Sequence, residues 1–212
     1  MDPKDNLLAA SRHVFARHGY RRTSMAMGAE EAGGSRQAIY HHFPSKELLF
    51  SALVDMLQTR ALDAARQAAE SLDGQPLASR LFRVLGAYHA SMVSSVAGSS
   101  FANELVEESV KHCSDLVSAH ADRFQRMLVS IVRASVEDGS VSLADGLSER
   151  QFVSMLLVAA KGVKVTYAPA GERAYAQALE QMVNALCRGS LIPAECATSS
   201  NRIRAVAGRA RK

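Results

Sequence analysis

Cysteine is scarce in this 212-residue chain. Cys113, Cys187 and Cys196 make an odd number and none stands at CxxC spacing, which argues against a disulfide framework and a zinc site. Long apolar runs are missing as well. The best candidate, near residues 152–167, is interrupted by Lys161 and Lys164 and falls short of the roughly 18 residues that cross a bilayer. The opening MDPKDNLLAA lacks the basic and apolar regions of a secretory signal. A cytoplasmic protein with no membrane partner is therefore expected. Also absent is any run of alternating β-branched residues bounded by hairpin turns, so extensive sheet is not expected.

What is present has the helical period. Apolar residues are 48% of the chain and charged residues 22%, a soluble globular composition with enough apolar surface for a sizeable core. The pattern predicts an all-α fold of about nine helices. A first helix is expected to stop at Gly19, and a second to run from Ser24 to Gly33. A third fills residues 35–43, and a fourth opens at Ser45. Longer helices follow, with residues 139–147 read as a loop and Ser148 with Gln151 as a capping box. The domain reading is 1–45, 46–189, and a basic tail over 190–212 that carries Arg202, Arg204, Arg209, Arg211 and Lys212. Charge follows the same division: the first 50 residues carry 7 Lys/Arg against 5 Asp/Glu, and residues 188–212 carry 6 against 1, while the middle is acidic. Basic ends suit an anionic polymer.

The chemistry concentrates in GGSRQAIYHHFPSKEL, residues 33–48. A helix, a break at Gly33 and a short helix from Ser35 make a helix-turn-helix, whose second member lies in the major groove of DNA. At about 100° per residue, Arg36, Gln37, Tyr40 and His41 share one sector, and Ala38, Ile39, His42 and Phe43 the opposite one. Arg grips guanine O6 and N7 in a bidentate pair, and Gln does the same at adenine N6 and N7. Tyr40 and His41 are placed to meet phosphate. Thr23, Ser24, Ser35 and Lys46 stand near helix starts, where free N–H groups and the dipole favour an anion. Glu108 and His112 fall at i, i+4 but have no third ligand at helical spacing. With Glu104, Glu107 and Lys111 they read as a solvated face, so neither a metal nor a cofactor is expected.

These stretches, GYRRTSM (19–25), AEEAGGSRQAIYHHFPSKELLF (29–50) and the preceding FARHGY, strongly resemble the TetR family of transcriptional regulators. The resemblance covers about the first quarter of the chain. It implies a homodimer on a near-palindromic double-stranded DNA operator, and a larger domain that binds a small-molecule effector. Two positions depart from the family, which usually carries branched apolar residues at Gly28 and Gly34. Met25 and Met27 are expected to fill the gap at Gly28.

For an effector pocket, Phe82, Leu85, Tyr88, His89, Met92, Phe101, Phe124, Met127 and Leu128 offer apolar and aromatic walls with a few polar handles. For a dimer interface, the last two helices carry stripes of Phe152, Met155, Leu156, Ala159, Val163, Tyr175, Leu179, Met182 and Leu186. The reading is of a ligand-responsive regulator that represses. A DNA-binding dimer without an effector is the alternative. An all-α enzyme is a third reading, and it lacks a nucleophile–base signature.

Overall fold

The computed structural model describes residues 3–71, 74–95, 98–144 and 146–193. Among them are nine α-helices, one three-ten turn and a single pair of three-residue strands. The chain forms two compact units: Met1–Ala64 with Ala87–Arg123, and Ala65–Gly86 with Phe124–Lys212.

The first unit opens with α1 (Pro3–Arg22), α2 (Met25–Glu31) and α3 (Arg36–His42). The first helical run breaks at Gly19 as expected, with φ 74° and ψ 173°, and a short second run, counted here with α1, carries on to Arg22. The Ser24 hydroxyl then caps α2 by accepting the Met27 N–H at 3.4 Å. A Schellman motif closes that helix: Gly34 N–H donates to the Ala29 carbonyl at 2.9 Å and Gly33 N–H to the Glu30 carbonyl at 2.9 Å. Gly33 takes φ 66°, a conformation that costs other residues strain. Two residues on, the Ser35 hydroxyl starts α3 by accepting the Ala38 N–H at 3.1 Å. The turn of the helix-turn-helix is thus built from caps.

Helix α4 (Lys46–Glu70) begins behind Ser45, whose hydroxyl accepts the Leu48 N–H at 3.2 Å. Then come α5 (Leu77–Ser94), α6 (Ala102–His112) and α7 (Ser114–Glu137). The core of the first unit joins Phe15, Ile39, Phe43, Leu49, Phe50 and Leu105. Phe50 packs edge-on to Phe15 at 5.1 Å between centroids and lies 4.7 Å from Tyr20. Ser11, Ile39 and Leu49 bound the space beside Gly28. A Cβ on Gly28 would meet Ser11 Oγ at 3.0 Å, Ile39 Cδ1 at 3.1 Å and Leu49 Cδ2 at 3.9 Å.

In the second unit α8 (Glu149–Tyr167) and α9 (Glu172–Ser190) pack against each other and bury Phe152, Val153, Leu156, Leu179 and Val183. The Ser148–Gln151 capping box is present in full. One expectation is corrected. Within the 139–147 segment, β1 (Val141–Leu143) pairs antiparallel with β2 (Leu191–Pro193), with Val141 opposite Pro193 and Leu143 opposite Leu191. The Ala144 N–H extends the ladder to the Ser190 carbonyl at 3.0 Å. Three residues are too few to show a period of two, and the partner strand lies far away in sequence. The basic residues of the tail and Cys196 lie outside the described residues.

Candidate nucleic-acid interface

Helix α3 is too short to be stable alone, so its packing face decides its orientation. Ile39 is 0% exposed and Phe43 is buried, while Ala38 and His42 are half-buried. These four anchor the helix, and Arg36, Gln37, Tyr40 and His41 are left pointing outward, all exposed. The Arg36 guanidinium lies 5.7 Å from the centre of the Tyr40 ring, a cation–π contact that limits its rotamers. His41 and His42 meet edge to face at 5.3 Å, and their environments differ, one exposed and one half-buried. Among the described residues no three metal-ligating side chains cluster. Ser24 and Ser35 are exposed next to this face, each at a helix start.

Thr23 and Lys46 also make contacts within the chain. The Thr23 hydroxyl, 4% exposed, donates to the Gly19 carbonyl at 2.6 Å. Lys46 Nζ donates to the Tyr20 carbonyl at 3.2 Å and lies 4.5 Å from the centre of the Tyr20 ring. Both side chains therefore fasten the end of α1. Tyr20 in turn donates its hydroxyl to Glu47 Oε1 at 3.4 Å, and burial followed by the nearby Glu47 charge pushes its pKa up to about 12.

A second fastening comes from α6, where Glu107 and Lys111 are exposed as expected and Glu108 departs from the solvated face. Glu108 is buried, at 3% exposure, and its Oε1 accepts from Arg21 Nε at 2.9 Å. Its Oε2 lies 3.1 Å from His112 Nε2, and the His112 ring packs 5.0 Å from that of Tyr20. One turn earlier Glu104 Oε1 accepts the Arg21 backbone N–H at 2.9 Å. Gly19 admits this carboxylate, since a Cβ there would lie 2.8 Å from its oxygens. The Arg22 guanidinium covers the Phe101 ring at 4.6 Å, and the Ser99 hydroxyl donates to the Ala16 carbonyl at 2.6 Å. The Arg21 hydrogen bond, ahead of the other influences, holds the Glu108 carboxyl below the usual carboxylate range, and the same pairing raises Arg21. Glutamates at i, i+4 on α6 were the one signal in the sequence. Their partner is more than 80 residues away, so the signal read as surface.

The other named residues are distributed as follows. Tyr88, His89, Met92 and Phe101 belong to the first unit, whereas Phe82, Leu85, Phe124, Met127 and Leu128 belong to the second. Of the stripes on α8 and α9, Phe152, Leu156, Tyr175 and Leu179 are buried within the single chain, and Ala159, Val163, Met182 and Leu186 partly so. Met155 projects at 42% exposure, together with Val158 at 74% and Val165 at 71%. Lys161 is exposed.

Residues 7–53, which run from α1 into α4, match the sequence family described as bacterial regulatory proteins, tetR family. The chain is 40% identical over 68 residues to the HTH-type transcriptional repressor AcnR of Corynebacterium efficiens, spanning 32% of this chain and about a third, 33%, of that protein's length. It is 30% identical over 149 residues to the HTH-type transcriptional repressor KstR2 of Mycolicibacterium smegmatis, which spans 65% of this chain and 66% of the relative. In fold it is similar to a TetR transcription regulator from Haloarcula marismortui, with a TM-score of 0.72, 18% identity, and coverage of 90% of this chain and 99% of the other. With the helix-turn-helix segment matched to the family and a repressor relative matched at 30% identity over 149 residues, the chain belongs to the TetR family.

Proposed function

We propose that this protein is a DNA-binding transcriptional regulator that represses by occupying a near-palindromic operator and leaves it when a small molecule binds. The observation that carries the proposal is the α3 face: Arg36, Gln37, Tyr40 and His41 are exposed together on a helix whose opposite face is buried. That arrangement presents two base-reading groups and two phosphate donors on a fixed support. Two of the relatives are themselves described as repressors. Residues 1–45 serve as the DNA-binding part, 46–189 as the effector-binding and dimerising part, and 190–212 as a basic tail. The reading is of a binding protein and not of an enzyme.

Dimerisation is assigned to the apolar residues that α8 leaves exposed, Met155, Val158 and Val165, with Met182 and Leu186 of α9 beside them in the sequence pattern. Control follows from linkage: an effector that binds better to the form unsuited to DNA weakens operator binding by the factor that DNA weakens effector binding. Helix α4 carries Lys46 at the end of α1 and Met56 and Leu57 against the core, so it is one lever. Helix α6, which grips Gly19, Arg21 and Arg22, is a second.

The test compares two variants on a library of operator sequences. Arg36→Ala costs about 1–3 kcal/mol and relaxes specificity at one base position, whereas Tyr40→Phe weakens all sequences alike. Equal behaviour of the two variants would contradict the division of roles.

A further inference from the structure

Asp55 and Gln58 stand one turn apart on α4, and each meets a polar side chain from another helix of the first unit. Asp55 Oδ1 lies 2.7 Å from Nε2 of His120 on α7, and Gln58 Oε1 accepts the Tyr88 hydroxyl of α5 at 2.8 Å. His120 is 0% exposed and Gln58 8%. A carboxylate offers only lone pairs, so the contact with Asp55 requires a proton on Nε2. A ring that carries its hydrogen on Nε2 alone presents a bare lone pair at Nδ1. Among the described residues Nδ1 has no hydrogen-bond partner, although the ring is wholly enclosed. Its neighbours one turn back on α7, Leu116 and Val117, are apolar and pack on the core, as do Met56 and Leu57 beside Asp55 and Gln58.

We infer that His120 Nδ1 is the polar anchor of a small-molecule site in the first unit, and that the ligand is a largely apolar compound donating a hydroxyl hydrogen to it. The inference rests on the effector reading above and names the chemistry of the effector. Asp55 is a positioning residue: its carboxylate fixes the tautomer and so makes Nδ1 an acceptor. A carboxylate ligand meets a lone pair and is rejected, and an ether brings no hydrogen. A hydroxyl does both jobs, since it satisfies the buried nitrogen and leaves the rest of the molecule apolar.

The experiment uses the full chain with ¹⁵N-labelled histidine and follows the His120 ring nitrogens by NMR. The probes are primary alcohols from butanol to dodecanol, each paired with its methyl ether. Expected is an unprotonated Nδ1 resonance in the free protein that shifts on adding at least one alcohol and stays put with the matched ether. Asp55→Ala, at a side chain 54% exposed and therefore tolerant of change, should mix the tautomers and reduce the alcohol-dependent shift. A protonated Nδ1 in the free protein overturns the inference. So does an equal response to alcohol and ether, which a buried water on Nδ1 would leave, or no response to any alcohol. Operator binding of the same preparation is measured by gel shift. Intact DNA binding without an alcohol response removes this site alone, whereas an alcohol response in a protein that binds no operator supports the site and removes the regulatory reading.

Discussion

Gly28 is buried where α1, α2 and α3 converge, and the atoms that would touch a Cβ there belong to Ser11 and Ile39. Ile39 reaches toward α2 because that space is open, so a small residue on α2 is matched by a large one on α3. A branched side chain at Gly28 would displace Ile39, the fully buried residue that sets the angle of the reading helix. Gly28→Ile should therefore cost about 1–3 kcal/mol through overpacking. Gly34 is a different case. A Cβ there would meet only the Ala29 carbonyl, at an ordinary 3.8 Å. Gly34→Val should instead stabilise by about 0.4–1 kcal/mol, because the unfolded chain loses freedom and the native backbone has room. Thermal unfolding followed by circular dichroism checks both: the melting temperature falls for the first variant and rises for the second. A rise for Gly28→Ile would mean that the gap is unfilled after all.

Among the elements, α6 most changes the account read from the sequence. Exposure of the α3 face was legible because both faces of a helix are written within seven consecutive residues. The grip of α6 on α1 was not, because Glu104 and Glu108 look like any acidic pair on a helix surface until Arg21 is brought beside them. Titration supplies a test. The Glu108 carboxyl is held below its ordinary range in the folded chain, chiefly by the Arg21 hydrogen bond. Its contribution is thus present above the unfolded carboxylate value of about 4.3, and is lost as pH falls through the lower folded value. Arg21 is largely exposed, so water and salt reduce the size of the effect. Melting temperatures measured from neutral pH downward should fall more steeply for the wild type than for Glu108→Gln in that acid window. Superimposable profiles would show that the carboxylate does not hold α1 in place.

At the scale of the molecule, the sequence gives the number and order of the helices well, since each long helix carries its own period and its own caps. It gives the assembly less well. Apolar positions on α8 and α9 read as a single stripe, yet the fold spends Phe152, Leu156 and Leu179 on its own core. What faces outward on α8 is Met155, Val158 and Val165, with exposed Gly162 in the same row. That row suits a symmetric contact between copies, where a glycine permits close approach. Val158→Glu should convert a dimer to a monomer in sedimentation at micromolar concentration without changing the helical content. An unchanged sedimentation coefficient would move the interface elsewhere. The strand pair β1–β2 was likewise out of reach, because its pairing depends on the fold and not on a local pattern.

Footprinting on the DNA beside the protein's own coding sequence tests whether α3 reads an operator as one half of a dimer. A dimer that reads DNA through α3 should protect two related half-sites whose centres lie about 34–36 Å apart, or a multiple of that, and protection should weaken steeply as salt rises. Arg36→Ala should lose the preference for those half-sites over neighbouring DNA. Protection spread evenly along the fragment, or half-site protection that survives Arg36→Ala with its sequence preference intact, would contradict that reading.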